Sequence, residues 1–254
     1  MPNYQIAAQM YTLREYTKTP QALAESLKKV KNIGYDAVQI SGICEIAYTE
    51  LKNILDDAGL KCCATHISYQ RMKDEIEKVI EDHHIIDCKY PAIGSLPKEY
   101  WNADGYLKFA KEATEVGKKL AEAGLRFGYH NHSFELEKYG DRTGLQILIE
   151  ESDPRYFTAE IDTYWIQHGG GDPAAWIEKC SGRIPLVHLK DMTVRDMKPI
   201  MAEVGEGNLN WPSILNACRN AGVEWYIVEQ DDCERDPFES LAISLQNLGA
   251  MGIE

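Results

Sequence analysis

Apolar residues along this chain follow two alternating rhythms. Short runs dense in Ile, Val, Ala, Tyr and Phe occupy 4–10, 35–41, 60–66, 89–93, 125–131, 156–162, 184–190 and 224–229. Between them, at 21–32, 46–58, 72–87, 100–123, 141–151, 173–180, 211–221 and 237–248, apolar residues recur at helical spacing. Short apolar runs bounded by turn signals read as buried strands, and the three-to-four-residue recurrence reads as amphipathic helix. The punctuation agrees. Ala58-Gly59-Leu60, Ala123-Gly124-Leu125 and Ala221-Gly222-Val223 each close a helix and open a strand, because glycine takes the left-handed conformation past a helix end at little steric cost.

Alternating strand and helix require parallel strands joined by right-handed crossovers, and eight such units close into a barrel. The expected fold is therefore α/β, a single (β/α)8 TIM barrel over residues 1–254. The rival is an open doubly wound sheet, but neither G-x-G-x-x-G nor G-x-x-x-x-G-K-[ST] follows the first strand.

Composition narrows the partners. A formal charge of −13 disfavours nucleic acid, which rewards a basic face, and equally an anionic membrane surface. No apolar run approaches the length of a bilayer span, and the N-terminus lacks a basic-then-apolar leader. Seven cysteines without C-x-x-C spacing read as free thiols in a reducing compartment. The expectation is a cytoplasmic protein acting on a small molecule.

Candidate chemistry collects at the strand ends. Glu229 follows Trp225-Tyr226-Ile227-Val228, an apolar setting in which a carboxylate needs a metal or a salt-bridge partner. Asp162 ends its strand, with Glu160 on the same face one layer deeper by two-residue alternation. Asp162 reads as a ligand or a helix N-cap, the next helix being expected only near Asp172-Pro173. Thr163-Tyr164-Trp165 would form a pocket wall beside it. His188 and Lys190 share a face, so an imidazole could bind a cation while the ammonium sits over a substrate oxygen, or both could pair with carboxylates.

The segment His130-Asn131-His132-Ser133-Phe134-Glu135 is the densest, and parity cannot say which of its residues face inward. Either Glu135 is a ligand with His132 as base, or His130 or His132 is the ligand with Glu135 as base. His66 ends the third strand and can reach the mouth, whereas His83-His84 sits in a helical stretch and reads as surface. Gly205-Glu206-Gly207, after the seventh strand, is placed to cover a ligand at the mouth.

These residues resemble the sugar phosphate isomerase/epimerase superfamily, the xylose-isomerase-like barrels. The resemblance rests on the order and spacing of Gln9-Met10-Tyr11-Thr12-Leu13-Arg14, Tyr129 to Glu135, Glu160-Ile161-Asp162, Val187-His188-Leu189-Lys190-Asp191, Gly205-Glu206-Gly207 and Val228-Glu229. It implies one divalent ion, manganese first and otherwise magnesium, cobalt or zinc, held by Glu135, Asp162, His188 and Glu229. Many members place the first ligand Glu inside the fifth strand, where this chain has Tyr129 or a neighbour. The departure resembles the branch containing keto-inositol dehydratases and enzymes of 3-keto-glycosides. His132 and Lys190 are then the expected catalytic groups, with Gln9, His66, His130, Trp165 and Glu206 binding substrate. Barrels of this family often form homo-oligomers, though no interface signature stands in the sequence.

The expected activity is a metal-dependent isomerase, epimerase or lyase of a keto-sugar, keto-glycoside or keto-inositol through an enediolate. A non-catalytic sugar-binding barrel and an endonuclease-like metallohydrolase are the alternatives, the latter disfavoured by the acidic charge.

Overall fold

A computed structural model describes residues 5–253. Tyr4, the expected start of the first strand, lies outside the described residues. Strand β1 (Gln5–Gln9) leads to helix α1 (Pro20–Ile33), β2 (Ala37–Ile40) to α2 (Tyr48–Ala58), and β3 (Lys61–His66) to α3 (Tyr69–Asp74) and α4 (Ile76–Ile85). Strand β4 (Pro91–Ile93) precedes α5 (Ala103–Glu122); β5 (Phe127–His130) precedes two short strands, β6 (Lys138–Tyr139) and β7 (Arg142–Thr143), and α6 (Gly144–Glu151). Strand β8 (Phe157–Asp162) runs into α7 (Thr163–His168) and α8 (Pro173–Lys179). Strand β9 (Leu186–Leu189) runs into a hairpin, β10 (Asp191–Arg195) and β11 (Lys198–Ala202), and then α9 (Trp211–Ala221). Strand β12 (Trp225–Val228) and α10 (Pro237–Ala250) complete the eighth unit.

The strands close in the order β1-β2-β3-β4-β5-β8-β9-β12, all parallel, with β12 paired back to β1. This is the (β/α)8 barrel read from the sequence. The glycines at 59, 124 and 222 do take positive φ, at 69°, 80° and 76°.

Four local differences have physical causes. The helix expected over 72–87 breaks at Glu75, whose φ of −128° and ψ of 37° are not helical. The helix expected from 141 starts at Gly144, because 138–143 pair as a hairpin first. His83 is fully buried rather than at the surface, with Nδ1 donating to Val79 O at 2.6 Å and Nε2 accepting from Thr65 Oγ1 at 2.7 Å. A helix begins directly after Asp162, at Thr163, well before Asp172-Pro173.

Most of the core lies between strands and helices, where Leu27, Leu55, Phe109, Leu148, Ile177 and Leu248 are all buried. Inside the barrel a smaller apolar floor is built from Ala7, Ala37, Cys63, Ala64, Tyr90, Leu186 and Ile227. Three alanines keep that floor low. The layer above it is polar: Gln9, Gln39, Glu160 and His188, all wholly buried.

Candidate active site

Register sets the geometry. Pairing His130 with Glu160, Asp162 with His188 and Ile227 with His188 brings four strand ends to one height. One ligand atom each from His130, Asp162, His188 and Glu229 then lies within 4.8 Å of the others, all four residues being buried. His130 Nε2 is 3.1 Å from Asp162 Oδ2, and His188 Nδ1 is 2.9 Å from Glu229 Oε2 and 3.8 Å from Asp162 Oδ2.

Each imidazole is tied at its far nitrogen. His130 Nδ1 donates to Gly94 O at 3.0 Å. His188 Nε2 donates to Gln39 Oε1 at 2.6 Å and lies 3.1 Å from Glu160 Oε1. Such partners fix the tautomer and leave the inward nitrogen to face a cation. Glu160 is thereby an orienting carboxylate: Gln39 Nε2 donates to its Oε1 at 2.7 Å and His66 Nε2 to its Oε2 at 2.7 Å. Gly94 is needed for this packing, since a Cβ there would stand 2.9 Å from His66 Nδ1.

Asp162 answers both readings made of it. Its Oδ1 caps α7 by accepting from Trp165 N at 2.8 Å, while Oδ2 faces His130 and Lys190. Lys190 Nζ sits 3.0 Å from Asp162 Oδ2, 2.7 Å from Glu229 Oε2 and 2.8 Å from Asp231 Oδ2. It is fully buried. Its ammonium is engaged by carboxylates and not presented over the cavity.

Electrostatics follow from burial against charge. Burial alone would raise the carboxyl of Glu160, yet His188 and His66 hold it well below the usual range. Burial is likewise outweighed at Asp162 by Lys190 and His130, and at Glu229 by Lys190 and His188. Burial would discharge His188, but Glu160 and Glu229 push it to about 10. Three inward carboxylates are thus kept ionised by Lys190 and the imidazoles around them. Two imidazole nitrogens and two carboxylate oxygens are a donor set suited to a divalent transition ion, so the residues fit the group.

Above the cluster opens a cavity of about 650 Å³ lined by Tyr11, Arg14, His66, His132, Trp165 and Asp231 among others. His132 packs 5.0 Å from His130 and 5.2 Å from Trp165, ring to ring. Burial, then His130 and Lys190, push its imidazole down to about 3. Its Nδ1 and the Nε1 of Trp165 are buried with no hydrogen-bond partner among the described residues.

Three expected positions move. Glu135 does not join the cluster: its Oε1 accepts from Tyr129 Oη at 2.7 Å and its Oε2 from His132 N at 2.9 Å. A short turn at Phe134–Leu136 folds it back beside the strand, and His130 stands where Glu135 was expected. Gln9 lies in the polar layer, donating to Gln39 Oε1 at 2.6 Å, and does not line the cavity. Glu206 is exposed and accepts from Asn247 Nδ2 on α10 at 3.2 Å, away from the mouth. The residues missed were Gln39 and Gly94. An amide inside the apolar run Ala37-Val38-Gln39-Ile40 was the available signal for the first.

A family model described as a xylose isomerase-like TIM barrel matches residues 27–248. An inosose dehydratase of Geobacillus thermodenitrificans (strain NG80-2) is 28% identical over 148 residues, 49% of this chain and 47% of that protein. The rhizopine catabolism protein MocC of Rhizobium meliloti is 24% identical over 276 residues, 89% of this chain and 79% of that protein. The chain thus spans about half the length of the inosose dehydratase it matches. A solved sugar phosphate isomerase/epimerase from Parabacteroides distasonis ATCC 8503 superposes with a TM-score of 0.81 at 24% identity, covering 100% of this chain and 96% of that one. At that identity the likeness is one of fold. With a closed barrel, a strand-end cluster and a family match over most of its length, this chain belongs to the xylose isomerase-like TIM barrels.

Proposed function

We propose that the chain is a divalent-metal-dependent isomerase, epimerase or lyase of a keto-sugar, keto-glycoside or keto-inositol. The observation that carries this reading is the convergence of His130, Asp162, His188 and Glu229, with each imidazole fixed from behind. These four residues would hold one ion, manganese first and otherwise magnesium, cobalt or zinc. Such an ion supplies Lewis-acid stabilisation of negative charge on a substrate carbonyl oxygen, which lowers the pKa of the adjacent C–H.

The remaining work falls to this chain's side chains. His132 lines the cavity beside His130 and Trp165 and would be the group that accepts a proton from the α-carbon. His66 lines the same cavity with its ring 5.2 Å from that of His130, and its bond to Glu160 orients it. It would hold a substrate hydroxyl, and the proton taken up by His132 would go back to a neighbouring atom; isomerisation, epimerisation and elimination differ in which atom that is. Trp165 supplies a flat wall. Lys190 balances Asp162, Glu229 and Asp231 from within and so acts on substrate only through them.

The relatives named inosose dehydratase and rhizopine catabolism protein support a sugar or polyol as the substrate. The test is the metal content of purified protein before and after Glu229→Gln. Near-stoichiometric metal that disappears in the variant is expected. Protein that takes up no ion on reconstitution would sink the proposal.

A further inference from the structure

The cavity that would receive the substrate offers hydroxyl partners and ring faces but no free positive charge. Among its described lining residues Arg14 is the one lysine or arginine. Its guanidinium is partly engaged. Nη1 donates to Tyr11 O at 3.2 Å and Asp231 O at 2.7 Å, Nη2 lies 3.7 Å from Asp232 Oδ1, and the group rests 4.6 Å from the Tyr11 ring centroid. The wall beside Arg14 carries three carboxylates, Glu229, Asp231 and Asp232. Lys190 behind them is sealed from the cavity.

The two places where barrels commonly hold a phosphate are the loops after the seventh and eighth strands, with helix N-termini nearby. Here the protein's own carboxylates fill them. After β9, the backbone N–H groups of Gly205 and Gly207 converge on Asp191 Oδ2 at 2.9 and 3.1 Å, and Trp211 Nε1 joins them at 2.6 Å. Leu209 N and Met192 N donate to Asp191 Oδ1 at 3.2 and 2.7 Å. The fit is tight, since a Cβ on Gly207 would stand 2.3 Å from Asp191 Oδ1. Such convergent N–H groups bind anions, and this set already has one. After β12 come Asp231 and Asp232. Of the helices after these two strands, α9 is capped by Asn210 on Ser213 N at 3.3 Å and α10 by Asp236 on Phe238 N at 2.8 Å; α7 and α8, which follow β8, are capped by Asp162 and Asp172 at 2.8 and 2.9 Å.

Apart from Arg14, the carboxylates and the histidines, what the cavity presents is neutral. Ser41 and Ser95 line it, beside the rings of Trp165 and His132. A substrate hydroxyl both donates and accepts, so it satisfies either serine.

We infer that the substrate of this site is an uncharged polyhydroxy ketone or its glycoside, and not a phosphate ester or sugar acid. The inference rests on the reading of the site as one acting on keto-sugars. It is tested with the manganese-reconstituted chain on fructose and xylulose, each beside its phosphate monoester, with a keto-inositol and inorganic phosphate added. Turnover and calorimetric binding are both recorded. The uncharged member of each pair should win by about tenfold or more in affinity and in kcat/KM, and inorganic phosphate should not compete. Asp232→Lys, which adds a cation and releases Arg14, should narrow the gap by about tenfold. Preference for the esters, or competition by phosphate, overturns the inference while leaving the enzyme reading intact. Binding of uncharged compounds without turnover of any overturns the enzyme reading and keeps this one. Binding of none overturns both.

Discussion

Asp162 ends β8 and Asp191 follows β9, the neighbouring barrel strand, and both are completely buried. They differ in what their oxygens have left to do. Asp191 receives five N–H groups, from Met192, Gly205, Gly207, Leu209 and the Trp211 indole, which engage both of its oxygens. Asp162 gives one oxygen to the N-terminus of α7 and turns the other toward His130, His188 and Lys190. Burial of a carboxylate therefore does not mark a reactive site. What marks it is acceptor capacity left over once the backbone has been served.

That contrast can be broken by substitution. Asp162→Asn should show the larger effect, a loss of more than about 100-fold in metal affinity, since an inward-facing ligand should matter more than the orienting groups behind it. Calorimetric titration with manganese measures this, and near-normal affinity would remove Asp162 from the cluster. Asp191→Ala should instead keep its metal and lose about 3 kcal/mol of stability, because five buried donors lose their charged acceptor. Urea unfolding of the reconstituted variant reads the loss, and a variant of unchanged midpoint would show that the loop holds itself.

Glu135 sharpens the comparison at smaller amplitude. Its oxygens, like those of Asp191, are taken by the protein, but by fewer partners, chiefly Tyr129 Oη and the backbone N–H of His132. Burial accordingly wins, and the carboxyl rises from 4.5 to about 7. A carboxyl raised on folding stabilises below its unfolded pKa, and that contribution is lost as pH climbs through the folded value. Between about pH 5 and 8 the stability of the wild type should therefore fall relative to Glu135→Gln by roughly 2–3 kcal/mol. A gap that stays constant with pH would mean that Glu135 is ionised throughout.

The fold was legible because its signals are local. Apolar runs set the strands, and glycines at 59, 124 and 222 closed helices in the expected conformation. Asp162, His188 and Glu229 were legible as strand-end polar groups, and the structure brings those three together. The segment after β5 was not legible, for a geometric reason. The strand stops at His130, Asn131 turns to accept from Asp162 N at 3.0 Å, and the next turn carries Glu135 back to Tyr129. Two-residue alternation has no meaning past a strand's last residue, so parity could not choose between His130 and Glu135. Lys190 was read as sharing a face with His188, but it stands one residue past β9, and its three carboxylate partners come from β8 and from the chain just beyond β12. Only the closed barrel brings those into reach.

The polar layer beneath the cluster bears on how the barrel assembles. Gln9 belongs to the first strand, Gln39 to the second, Glu160 to the sixth barrel strand and His188 to the seventh, and each one's partner is one of the others. Half a barrel would leave Gln39 or Glu160 buried with its bonds unmade, a state that is strongly disfavoured. Closure is thus favoured as one event over opening strand by strand. The same four side chains that orient the site make an incompletely wound barrel an unfavourable resting place for the chain.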